Sequence, residues 1–303
     1  MKARTNQNWT ITEAAHLLNR AAFGGPPDQV RAIHALGPQA AVDQLLALGT
    51  AAPSPDPLPA PAWATAEAYR EQTREFLEER RAMGLEMGRP GKKKSEMTDL
   101  PPEEARKRAE ARQKMQKEMR QLALAQGVEL TRWWFKRMVD GPQPAREKMV
   151  LFWHGHFATS MEKVRNAYFL YLQNDLFRRF AFGDFAELTK RVTRDPAMML
   201  YLDVQDSKRT MPNENFAREL MELFTLGEGN YSEDDIKASA RAFTGLRLSR
   251  FTGDVSFAKS QHDSGTKSFL GRTGNLGPDD IVDTIMAQSG CATFIARKLW
   301  RFY

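Results

Sequence analysis

Cysteine is nearly absent. Cys291 is the only one in 303 residues, which excludes an intramolecular disulfide and a CxxC metal knuckle. It lies in an apolar, helix-like run and is expected to be an inert core residue. Long apolar runs are missing as well: no stretch approaches the roughly 20 residues that a membrane span needs. The opening MKARTNQNWTITEAAHLL lacks the apolar core of a secretory signal, so the chain as written is expected to stay in the cytoplasm. Neither sign of charge dominates. Lys and Arg number 44 against 38 Asp and Glu, a net of +6, and that is not by itself a nucleic-acid-binding composition. There is no GxSxG elbow, no Cys–His nucleophile pattern, no P-loop and no EF-hand spacing. GRTGNLG at 271–277 reads as a loop and helix start, because Asp279, Asp280 and Asp283 would oppose an anion there. GNYSEDD at 229–235 reads as helix capping.

What is present is helical periodicity, in a chain long enough to bury a substantial core. Thr10 and Glu13 form a capping box that opens a helix over about 10–23. Further helices are predicted over about 27–35 and 38–48. Residues 49–62, GTAAPSPDPLPAPA, are too rich in proline for regular helix and read as an extended linker. Core-like helices return at 128–139 and from Pro144 towards HGHF, then at 162–182 and 184–193. The final helices are expected at about 278–288 and 291–302. Residues 246–270 instead alternate, with Leu246, Leu248, Val255, Phe257 and Phe269 around Thr252-Gly253-Asp254. That pattern predicts one small β-hairpin, the only strand material. The expected fold is therefore mainly α, a multi-helical body with one small β-hairpin.

Residues 63–126 differ from the rest. Positions 67–120 hold 15 Lys/Arg and 12 Asp/Glu, a net of +3, with few large apolar side chains. RPGKKKSEMTDLPP at 89–102 splits the stretch into helices of about 64–87 and 102–126. This reads as a charged helical-hairpin insertion, either solvated and laced with ion pairs or an arm that touches a protein partner through the basic tip Arg89 to Lys94. Nucleic acid is an unlikely partner, since the interleaved acids would repel phosphates.

The remaining chemistry gathers around Pro212 to Gly245, read as two helices joined by an acidic turn. Asn213 is the expected N-cap of the first and Gly227 its C-terminal stop, while Ser232 and Asp235 form a capping box for the second. At about 100° per residue, Phe216, Leu220, Leu223 and Phe224 share an apolar face, and Asn215, Glu219, Glu222 and Leu226 fall beside it. Glu219 and Glu222 are spaced so that both carboxylates can converge on one point, as in carboxylate-bridged metal sites. Arg218 is placed to pair with Glu222. Of the five histidines, His154 and His156 flank Gly155; on a continuous helix they point apart, one inward and one outward. His262-Asp263 occupies a loop where it could act as ligand, general base or anchor.

These blocks resemble the bacterial "domain of unknown function 1800" family. PNENFARELMELFTLGEGNYSEDDIKASARAFTG carries the resemblance, with AAHLLNRAAFGG at 14–25, EKMVLFWHGHFATS at 147–160, HDSGTKSFLG at 262–271 and CATFIARKLWRFY at 291–303 in the same order. The resemblance spans nearly the whole chain and implies a mostly helical fold, with no activity attached. It rests more firmly on His156 than on His154. Members usually continue beyond position 303 and often carry export signals; an apolar face at Phe294, Ile295, Leu299 and Trp300 would then be left exposed. They are also often encoded beside a sulfatase-like family, which by analogy implies a protein partner.

Two functions are expected from this reading. In the first, His156, Glu219, Glu222 and His262 bind a divalent metal, and His262, Asp263 and Glu222 carry hydrolysis by metal-bound water. Asn215, Arg218 and Arg241 support them. In the second, the same residues form a buried polar network that fixes helix packing, and the 63–126 arm docks on another protein.

Overall fold

Capping residues decide where the helices begin. A computed structural model describes residues 9–50, 58–83, 85 and 101–303. The basic tip from Arg89 to Lys94, linker residues 51–57 and the opening residues 1–8 lie outside them. The first layer is α1 (Ile11–Ala21), α2 (Pro27–Leu36) and α3 (Pro38–Thr50). Thr10 and Glu13 close the capping box at its start, and proline opens both α2 and α3, where its missing N–H costs nothing. Ala14, Leu18, Ile33, Ala41 and Leu45 are the buried core of this layer.

Two long helices follow, α4 (Ala66–Ala82) and α5 (Pro102–Asp140). The second helix of the charged arm does not stop at 126 as the sequence predicts. It runs on through Gly127 into the aromatic segment, 39 residues in all. A Cβ at Gly127 would lie 2.6 Å from Met161 Cε, so glycine lets Met161 pack close to the helix. That packing offsets the ~1 kcal/mol that glycine costs in a helix interior.

The body is built from α6 (Pro144–His156), α7 (Met161–Val164), α8 (Ala167–Arg179), α9 (Phe185–Val192), α10 (Pro196–Tyr201), α11 (Glu214–Glu219), α12 (Glu233–Ala242), α13 (Pro278–Met286) and α14 (Ser289–Phe302). The helix predicted over 162–182 is divided. Arg165 adopts φ 52°, ending α7, and Asn166 caps α8. Phe157, Phe177, Phe216 and Phe243 are fully buried in the main core, each contributing about 1.5–3 kcal/mol of apolar burial. Cys291 is buried there too, its thiol pushed up to about 11 by burial, as expected of an inert residue.

Two small antiparallel strand pairs replace the single hairpin of the sequence reading. β1 (Leu246–Leu248) pairs with β2 (Val255–Phe257), in the place predicted. β3 (Lys267–Phe269), at the end of the alternating stretch, pairs with β4 (Arg272–Gly274), inside the stretch read as a loop. The turn joining β3 to β4 puts Leu270 at φ 44° and Gly271 at φ 83°, the double left-handed conformation of a tight hairpin. Three-residue strands are too short to show an alternation, and leucine is not a left-handed signal. Among the described residues no helix is long and apolar enough to cross a membrane.

Candidate functional site

The centre of the Pro212–Gly245 stretch is not a regular helix. Asn213 caps α11 by accepting from the Asn215 and Phe216 amides, and Gly227 ends the run at φ 82°. Between them, Leu220–Thr225 is a π-helical turn. The extra residue per turn shifts every later side chain. Leu223, expected on the apolar face, is 48% exposed, and Leu226, expected beside the acids, is 3% exposed. Such single π turns are frequent at functional sites.

Glu219 and Glu222 are half-buried on this segment. Burial first, and then the neighbouring Glu222 charge, raise the Glu219 carboxyl. Glu222 accepts from the Tyr231 hydroxyl at 2.9 Å, and burial together with that bond pushes Tyr231 up to about 12. Arg218 does not pair with Glu222. It forks onto Glu233 of α12 with two 2.9 Å bonds, a bidentate geometry that the helical spacing could not offer. Asn215 is exposed.

Of the two histidines flanking Gly155, His156 is the one that faces inward from α6, only 5% exposed, while His154 is half-buried. It is ringed by Phe152, Trp153, Phe157, Phe185, Phe224 and Phe294. Its Nε2 lies 2.9 Å from the Phe224 carbonyl. A carbonyl only accepts, so Nε2 carries the hydrogen and Nδ1 accepts from Lys298 Nζ at 3.3 Å. Lys298 also donates to the Leu223 carbonyl at 2.8 Å. Burial, with the Lys298 charge beside it, holds the imidazole down to about 3. Both ring nitrogens thus serve the π turn: His156 meets the Glu222 segment through backbone carbonyls, not carboxylates.

His262 and Asp263 form a third, separate arrangement. His262 Nδ1 donates to the Thr244 carbonyl at 2.9 Å, and its ring packs on Phe257. Gly245, at φ 91°, makes this possible, since a Cβ there would lie 3.1 Å from His262 Cβ and 2.9 Å from the Ala258 carbonyl oxygen. Asp263 accepts both Arg241 Nε (2.7 Å) and Nη2 (3.1 Å), plus the Gly265 amide at 2.9 Å. The Arg241 bond, first among these, holds the carboxyl down to about 2. Buried Lys267 closes the loop by donating to the Asp263 and Gly265 carbonyls at 2.6 and 3.1 Å.

The structure therefore distributes the candidate residues over three arrangements. Among the described residues no group of three His, Cys, Asp or Glu side chains comes together as a metal-holding set. The bonds in each arrangement join one part of the fold to another.

Two features escape the sequence reading. The first is a buried Arg–Glu–Arg network at the root of α5. Glu147 of α6, 2% exposed, accepts from Arg137 Nε of α5 (3.1 Å), from Arg178 Nε and Nη2 of α8 (2.6 and 3.0 Å), and from Trp134 Nε1 (3.1 Å). Burial alone would raise the Glu147 carboxyl, but the bonds and charges of Arg178 and Arg137 outweigh it and hold it below the usual range. Its partners are distant in sequence, so no local pattern announces it.

The second is a groove of about 1180 Å³ between α4 and α5, lined also by Met161, Arg165, Asn166 and Phe251. The helices are tied at their root by Trp63 Nε1 to Glu129 (2.7 Å) and Gln126 Nε2 to Gln72 (3.2 Å). Tyr69 anchors α4 to the body, stacking on Tyr168 and donating to the Arg250 carbonyl at 2.5 Å. A signal for the groove was present. On α5, Arg106, Lys107, Arg108 and Lys114 each have an acid four residues away and pair with it. Arg112, Lys117 and Arg120, which line the groove, have none at three or four residues.

No curated protein and no solved structure matches the chain. One family does, described as a protein of unknown function (DUF1800), over residues 16–303. With residues 16–303 matched, nearly the full length, the chain belongs to that family.

Proposed function

We propose that this protein works by docking another protein on its α4–α5 arm, with the helical body as the mount. The observation that carries the reading is the groove, whose floor of Phe76, Leu85, Met115, Met119, Leu122 and Met161 is apolar and methionine-rich. Methionine adapts to varied partner shapes and is over-used at such surfaces. The same helix bears a row of exposed apolar side chains, Leu124 (52%), Val128 (61%), Phe135 (62%) and Val139 (74%). On helical spacing these lie within about 60° of one another, a patch of the kind that marks interaction sites. The network around Glu147 supports the reading from beneath, because it locks α5 to α6 and α8 and so sets the arm's direction. A metal-dependent hydrolase draws less support. Both His156 nitrogens, His262 Nδ1 and the Asp263 carboxylate are engaged elsewhere, and among the described residues Glu219 and Glu222 join no set of three that could hold a metal.

The test is site-specific photo-crosslinking in the source cells, with the reactive amino acid at Met119 in the groove and, as control, at exposed Glu187 on α9. A discrete protein adduct is expected from Met119 only, and it should disappear with Leu122→Asp. No adduct, or equal adducts from both positions, would overturn the reading.

A further inference from the structure

We infer that the groove's partner is an acidic amphipathic helix, apolar on the side that meets the floor and carboxylate-rich on the sides that meet the rim. This rests on the docking reading above and adds the partner's chemistry. Among the described residues the lining carries Arg80, Arg112, Lys117, Arg120, Arg165 and Arg250 against a single acid, Glu162. That surplus of five stands beside a net of +6 for the whole chain, while Arg106, Lys107, Arg108 and Lys114 of the same helix are each paired with an acid four residues away. The cations are also available. Arg112, Lys117 and Arg120 are exposed and make no ion pair among the described residues, whereas an arginine in a merely solvated helix face would sit beside an acid at helical spacing, as Arg106 and Arg108 do.

The floor separates a peptide from a polyanion. Met115, Met119 and Leu122 lie among the cations, and phosphates laid over them would lose hydration without gaining partners. Glu103, Glu104, Glu110 and Glu118 on the same helix would repel a nucleic-acid backbone running past the groove. A helix with one apolar and one acidic face satisfies both parts of the lining. The dimensions agree: the lining extends from Arg112 to Gln126 on α5, about 21 Å at 1.5 Å per residue, or some four turns.

The probes are three helical peptides of about 14 residues, a length that spans the groove. All carry the same leucine stripe, with polar faces of glutamate, glutamine or lysine. Binding is read by fluorescence anisotropy on the full chain at about 0.01 M and about 1 M salt, where screening is weak and strong. The glutamate peptide is expected to bind about tenfold or more tighter than the other two, to weaken in high salt, and to lose that advantage with Arg112→Glu/Arg120→Glu. Lys107→Glu/Lys114→Glu, the same charge change on α5 outside the groove, should leave binding within about twofold. Equal binding of all three peptides, abolished by Leu122→Asp, would overturn the acidic partner while leaving the arm a docking site. Binding by no peptide would overturn it as well, with the crosslink at Met119 still deciding the docking reading. Tighter binding of single-stranded DNA or of phosphatidylglycerol vesicles, lost with Arg112→Glu/Arg120→Glu, would also overturn it.

Discussion

Replacing Glu147 with glutamine removes one charge from the root of the arm and keeps the side chain's shape. Arg137 and Arg178, 7% and 9% exposed, would both lose the carboxylate they share, while lying over Trp133 at 5.2 and 5.0 Å from its centroid. Breaking a buried ion pair by removing one partner costs about 3–5 kcal/mol, because the remaining charge stays desolvated. In a chain of this size, about 2 °C of Tm follows each kcal/mol, so Glu147→Gln should melt some 6–10 °C lower. Circular dichroism melts, with urea titrations checked for an unchanged m-value, measure this. The pH dependence has a definite sign. The folded carboxyl lies below its ordinary 4.5, so its contribution is complete above that pH and is lost as pH falls through the lower folded value. Native protein and variant should therefore converge in acid. The groove should suffer too, since α5 hangs from this network, and Glu147→Gln should weaken the glutamate peptide without touching a groove residue. A loss below about 1 kcal/mol at neutral pH would refute the reasoning, because it would mean that water reaches the guanidiniums.

Two further outcomes are expected. Asp195 is buried at the start of α10, accepting from Gln173 Nε2 and the Met198 amide, each at 2.8 Å. Burial pushes its carboxyl up to about 7 from 3.8; its contribution is thus full below 3.8 and lost as pH rises through 7. Asp195→Asn keeps the cap, and its stability relative to the native protein should rise by about 1–3 kcal/mol between pH 5 and pH 8. Denaturant titrations at the two pH values decide it, and an unchanged gap between them would refute it. Elemental analysis after incubation with zinc, manganese and iron should find no near-stoichiometric metal in the native protein or in Glu219→Gln/Glu222→Gln. Metal present in the first and lost in the second would restore the hydrolase reading.

Helix placement was largely readable from the chain, because caps and stops act over three or four residues. Thr10–Glu13, Ser232–Asp235, Asn213 and Gly141-Pro142 each did in the structure what their local chemistry demands. Helical geometry said that one of His154 and His156 turns inward but not which, and the alternation around Thr252-Gly253-Asp254 located β1 and β2. Tertiary structure decided the rest. Whether Gly127 ends α5 depends on Met161, which lies 34 residues away. The π turn at Leu220–Thr225 is held where Lys298 and His156 bond its carbonyls, and that one-residue slip exchanged the roles of Leu223 and Leu226. Arg218 had a helical partner available and took Glu233 instead, because a forked bond across two helices outweighs a flexible pair along one. Glu222, His156, His262 and Asp263, which spacing suggested could converge, are each bonded to a partner from another part of the fold. Charge pairs along one helix follow from composition and spacing; which buried charge meets which depends on long-range packing, and only the fold supplies that.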